Sequence, residues 1–131
     1  MTGLDTNVLV RFFAQDDPQQ SPQANRMMSS LTVREPGWVA TATILELVWV
    51  LTSKMRLDRG GIARILDRLL RQEKLVVEQA SVVEGAYRLY RSGNADFADC
   101  LISSSAKAAG CARTVTFDRR AARDAGMELI G

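Results

Sequence analysis

Five short apolar runs, none longer than four residues, alternate with longer stretches of helical periodicity, and this alternation constrains the fold more than any other feature of the chain. The runs lie at 2–4, 37–40, 75–78, 114–116 and, more weakly, 128–130. Between them apolar residues recur three and four positions apart, as Val8, Leu9, Phe12 and Phe13 do after the first run. Strands separated by helices pair in parallel through helical crossovers. The expected fold is therefore α/β, an α/β/α sandwich of three layers around a mostly parallel central sheet. At 131 residues it is expected to be one domain, 1–131.

Local start and stop signals divide the helical stretches. Asp17, with Pro18 behind it, opens a helix to about 31, and Thr41 or Thr43 opens one to about 55. Asp58 caps a helix through 71, and Ser81 opens another to about 90. Asp96 opens one that Gly110 stops, and Asp118 opens a short one ended by Gly126. Two helices thus fall between the second and third apolar runs.

The composition narrows the chemistry. There is no histidine, which excludes Ser-His-Asp and Cys-His catalysis, paired-histidine ribonuclease chemistry and any histidine metal ligand. Cys100 and Cys111, if on one helix, stand roughly 16 Å apart along its axis, too far for a disulfide. Both are expected to be small core residues in a reducing compartment. The net charge of +2 permits a nucleic-acid partner without demanding one. Fourteen of the 17 basic residues are arginine, the side chain suited to bidentate binding of phosphate. No apolar run reaches the length of a membrane span and no secretory leader is visible, so a cytoplasmic protein is expected.

Five acidic positions are harder to explain by folding alone. Asp5 and Asp118 each follow an apolar run and precede a helix; each reads as an N-cap, or as a ligand at the carboxyl end of a strand. Glu46 is the only charged residue between Glu35 and Lys54, in TILELVWVL. A helix this apolar all round is expected to be largely buried, together with Trp38 and Trp49. Glu46 would then need a buried arginine, a cation, or a narrow exposed stripe. Asp96 and Asp99 face one side of a first helical turn, either as a capping arrangement or as repelling carboxylates. Converging carboxylates require a cation, and hard oxygen ligands select Mg²⁺ or Mn²⁺, ions that polarise the phosphoryl oxygen in phosphodiester cleavage.

LDTNVLV, the glutamate of TILELVWVL, ADFADCLI and TVTFDRR, in that order and spacing, resemble a PIN-domain ribonuclease, and more narrowly the VapC toxins of bacterial toxin–antitoxin pairs. The resemblance runs essentially from end to end. It implies an α/β/α fold and a metal-dependent endoribonuclease cleaving RNA with Mg²⁺ or Mn²⁺. The acidic site would be Asp5, Glu46, Asp99 and Asp118. Thr6, Asn7 and Thr116 would orient carboxylates or water, and Asp96 would be a cap or a supporting group. It further implies a VapB-like antitoxin that holds the toxin inactive, and a homodimer. Arg64, Arg68 and Arg71 share one helical face, opposite Ile62, Ile65, Leu66 and Leu69, and would be either solvated or in contact with phosphate.

Readings from other classes fare less well. A phosphoreceiver needs a lysine near the last strand, and none of Lys54, Lys74 and Lys107 follows one. A haloacid-dehalogenase-type phosphatase needs an aspartate where Asn7 stands. A non-catalytic binding module, whose acidic pocket receives a basic partner peptide, remains the alternative.

Overall fold

The computed structural model describes residues 1–131. All five strands and all seven helices fall at or within a residue or two of the expected places. The chain divides into two compact units, Met1–Glu78 and Gln79–Gly131. No helix is long and apolar enough to cross a membrane.

The first unit runs β1 (Thr2–Gly3), α1 (Thr6–Ala14), α2 (Gln20–Ser30), β2 (Gly37–Val39), α3 (Thr41–Ser53), α4 (Arg59–Leu70) and β3 (Leu75–Val77). Its three strands pair in parallel in the order β1-β2-β3, with Thr2 opposite Gly37 and Trp38 opposite Val76. Gly37, in the central strand, is demanded by packing. A Cβ there would stand 2.8 Å from Leu4 Cδ1 and 2.9 Å from Leu75 Cδ2, so any larger residue would force those side chains aside. The core is built on Leu9, Val39, Ile44, Leu51, Leu66 and Leu69, all fully buried. Burying side chains of this kind contributes about 1.5–3 kcal/mol each before entropy is counted.

Helices α1 and α4 each begin at an aspartate whose side chain caps them. Asp58 accepts a hydrogen bond from Gly61 N at 2.8 Å. Asp17 accepts from Gln19 N and Gln20 N, yet α2 starts only at Gln20, because residues 18–19 form a turn before the helix proper. On α4, Ile62, Ile65, Leu66 and Leu69 are buried while Arg64, Arg68 and Arg71 are exposed, as the periodicity requires. Arg68 also lies over the Phe13 ring, 5.1 Å from its centre.

The second unit runs α5 (Ala80–Ser92), α6 (Phe97–Ala108), β4 (Val115–Thr116), α7 (Arg119–Asp124) and β5 (Glu128–Leu129). Helices α5 and α6 pack closely at Gly85: a Cβ there would meet Ser104 Oγ at 2.6 Å and force that hydroxyl to turn away. That hydroxyl is committed to Val82 O at 2.7 Å. Tyr90 and Phe97 meet edge to face, 5.7 Å between ring centres. Strands β4 and β5 form their own parallel pair around α7, with Val115 opposite Glu128.

Every strand pair is parallel, but the strands fall into a sheet of three and a sheet of two. Strands of two residues offer few ladder bonds, and those of β1 are made with β2. Three expectations about burial change. Cys100 is buried but Cys111 is exposed, because α6 ends at Ala108 and leaves Cys111 beyond it. Trp49 is exposed and Trp38 half-buried, so neither is a core residue. The third concerns Glu46.

Candidate active site

Helix α3 is not buried all round. Ile44, Leu47, Val48 and Leu51 face the core, while Ala42, Leu45, Glu46 and Trp49 are exposed. Glu46 therefore stands on an exposed stripe and needs no buried countercharge. An apolar composition made the whole surface look interior, but a helix packed on one side buries only that side.

Glu46 nevertheless has a partner drawn from far along the chain. Thr6 Oγ1 donates to Glu46 Oε1, linking α1 to α3 across 40 residues. The same threonine donates its backbone N–H to Asp5 Oδ1 at 2.8 Å. Asp5 sits where β1 gives way to α1, in extended backbone that makes it the N-cap. Thr6 is buried to 4% exposure and so has little freedom to reorient. It gathers two carboxylates around one fixed side chain and leaves Asp5 Oδ2 and Glu46 Oε2 uncommitted. Asn7 bonds to neither. It lines a cleft of about 260 Å³ with Arg11, Gln20 and Met27.

A further acid at the same sheet edge plays a part that the sequence reading missed. Ala40 precedes α3 and has no side chain with which to cap it. Glu78, just past the end of β3, supplies the cap: Thr41 N donates to Glu78 Oε1 at 2.9 Å, and Thr41 Oγ1 to Glu78 O at 3.1 Å. This fixes the start of the helix that carries Glu46. The available signal was an acid ending an apolar run, the same signal that marked Asp5 and Asp118.

The second unit holds the other acids differently. Asp118 is the N-cap of α7 and accepts from Arg120 N at 2.8 Å, while Thr116 Oγ1 accepts from Asp118 N at 3.0 Å. Thr116 thus orients the backbone of Asp118 rather than its carboxylate. Asp96 occupies the N-cap position of α6 but makes no side-chain cap bond, so it does not close a capping box with Asp99. Asp99, in the first turn, is half-buried. Burial first, then the negative charges of Asp96 and Asp118, raise its carboxyl above the ordinary value of 3.8. Asp99 is thereby within electrostatic reach of Asp96 and of Asp118.

Within each unit the acids named above offer carboxylate oxygens, the donor chemistry that favours Mg²⁺ or Mn²⁺ over softer metals. No group of three or more acidic or thiol side chains is arranged as a ready-made metal centre.

Comparison with known proteins assigns the family. The PIN-domain family model matches residues 4–126, a span that contains Asp5, Glu46, Asp99 and Asp118. A VapC ribonuclease of Aquifex aeolicus (strain VF5) is 30% identical over 118 residues, covering 89% of this chain and 87% of that protein. The match therefore extends over nearly the whole of both chains, and the expected α/β/α class of fold comes with it. The chain belongs to the PIN-domain family and is VapC-like within it.

Proposed function

We propose that the chain is a VapC-type endoribonuclease toxin that cleaves RNA with Mg²⁺ or Mn²⁺ held by Asp5, Glu46, Asp99 and Asp118. Membership of the PIN-domain family and the likeness to a VapC ribonuclease support a nuclease of this type. The observation that supports the metal reading is Asp99, a half-buried carboxylate within electrostatic reach of two others, Asp96 and Asp118.

A bound divalent ion would neutralise these acids and polarise the scissile phosphodiester. The chain's own residues do the rest. Thr6 holds Glu46 and Asp5 in place through one hydroxyl and one backbone N–H. Arg120 N fixes Asp118 Oδ1. A carboxylate takes a proton from the attacking water as its oxygen bonds to phosphorus in line. The bond from phosphorus to O3′ breaks and O3′ takes a proton from solvent, leaving a 5′-phosphate and a 3′-hydroxyl. Residues 1–131 act here as one nuclease domain. A VapB-like antitoxin and a homodimer complete the proposal, with the cytoplasm as the place of action.

The test is cleavage of an unstructured RNA by the purified protein in Mg²⁺ or Mn²⁺, repeated with EDTA and with Asp5→Asn. Cutting should stop in EDTA. Asp5→Asn should lower the rate by more than about 100-fold, since even the outer partners of a metal site cost 10–100-fold when lost. Metal-independent cutting, or a folded Asp5→Asn that cuts at the unaltered rate, would overturn the assignment. Binding of a basic peptide with no cutting at all would leave the binding-module reading in its place.

A further inference from the structure

Phe117 is 79% exposed, the most exposed large apolar side chain in the protein. It stands between Thr116 and Asp118, directly beside one of the proposed site residues. A ring left in water forgoes the burial its size would otherwise contribute. No other ring and no cation packs on it, although the C-terminal Gly131 lies beside it, where a Cβ would stand 3.4 Å from Phe117 Cε1. Trp49, the other well-exposed aromatic residue, differs in this respect, because Lys54 lies over its ring at 5.7 Å.

The surrounding segment, RTVTFDRRAARD, carries four arginines. Two are neutralised locally: Arg113 pairs with Glu128 at 2.8 Å, and Arg123 with Asp124 at 2.9 Å. The other two, Arg119 and Arg120, are exposed and make no ion pair. The unpaired cations are thus the two that follow Phe117 and Asp118. An exposed aromatic ring followed in the chain by free guanidinium groups is a combination suited to single-stranded nucleic acid: the ring stacks a base and the cations hold phosphates.

We propose that Phe117 is a stacking platform for one unpaired nucleobase of the RNA substrate, with Arg119 and Arg120 on the flanking phosphates. The proposal deepens the nuclease reading and rests on it. Stacking on a ring is tolerant of base identity, because every base has a π-face. It does require a base free to leave its neighbours, which duplex RNA does not readily offer. Phe117 therefore selects unpaired RNA beside Asp118 without dictating its sequence.

Binding is measured in the Asp5→Asn background with Mg²⁺ present, using a short unstructured oligoribonucleotide and a duplex of the same length. Adding Phe117→Ala should weaken binding of the single strand by about 5- to 150-fold, the loss expected for one base–aromatic stack, and leave the duplex unaffected. Phe117→Leu should lose as much as Phe117→Ala, and Phe117→Trp should keep full binding. All three should melt as the parent does, since the ring is exposed. Replacing Arg119 and Arg120 together by alanine should reduce the log–log salt slope for the single strand by about 1.4, at 0.7 per phosphate contact. Equal single-strand binding by Phe117→Ala, or an equal loss on the duplex, would overturn the platform. If the unaltered protein cuts RNA and Phe117→Ala alone keeps its kcat/KM on the single strand, the platform falls and the nuclease stands. If the unaltered protein neither binds nor cuts RNA, both fall.

Discussion

The two units treat their acids in opposite ways. In Met1–Glu78 each carboxylate of interest is held by a donor: Asp5 by Thr6 N, Glu46 by Thr6 Oγ1, Glu78 by Thr41 N, and Asp17 by two backbone N–H groups. In Gln79–Gly131, of the three candidate site acids only Asp118 has such a donor, while Asp96 caps nothing and Asp99 is raised by burial and by its acidic neighbours. A donor fixes a carboxylate and stabilises its charge. An acid among acids is left unbalanced, and that imbalance is what a cation or another positive group can relieve. The contrast separates acids that build the fold from acids the fold merely tolerates.

The sharpest way to break this contrast is Asp99→Asn. It keeps the shape, removes the charge, and should lower metal-dependent RNA cleavage by more than about 100-fold. In metal-free buffer the same substitution should raise the melting temperature, because it removes repulsion. A loss of thermal stability in EDTA would mean that Asp99 supports the fold, and the division between the two units would fail.

Next in size is Thr6→Val, which preserves volume and removes the hydroxyl. Glu46 then loses its donor, and cleavage should fall about 10- to 100-fold. Thr6→Ser should recover most of that activity. If the valine variant cut RNA at the unaltered rate, the Thr6 bond to Glu46 would have no part in catalysis.

Glu78→Ala should act on stability first. Helix α3 has no cap from Ala40 and would lose the one supplied by Glu78. A lost cap costs about 1 kcal/mol, read as a lower midpoint in urea with an unchanged slope. An unchanged midpoint would show that the cap contributes nothing.

The smallest effects are in titration. Backbone N–H groups of Gln20 and Gln19 hold the Asp17 carboxyl below 3.8, so its stabilisation is present above that pH and is lost as pH falls through the folded value. Asp99 has the opposite sign: its carboxyl is raised, so its favourable contribution exists only at acid pH and is lost as pH rises from 3.8 through the folded value. Carbon-detected NMR titration of the metal-free protein should find Asp17 below and Asp99 above the ordinary value. The reverse order would erase the distinction.

Much of this was legible before the structure. Asp5, Asp58 and Asp118 announced helix starts because a cap acts within its own first turn. The face of α4 was legible because its charges and its apolar residues alternate with the helical period. Helix α3 defeated the same reasoning. With almost every position apolar, its period carries no direction, so Glu46 and Trp49 were assigned to an interior they do not occupy. Of all the acids, Glu46 looked the least comfortable in sequence, yet the structure gives that place to Asp99.

By itself the sequence determined the order of strands and helices, the parallel pairing, the family, and the identity of the acids available for chemistry. These follow from forces that act over a few residues: turn sterics, capping bonds and apolar periodicity. Only the tertiary structure decided that Thr6 reaches Glu46, that Glu78 caps α3, and that Phe117 is left bare. Such contacts join residues 37 and 40 positions apart, or depend on which neighbours fail to arrive. Packing alone sets those distances, and no local rule of the chain encodes them.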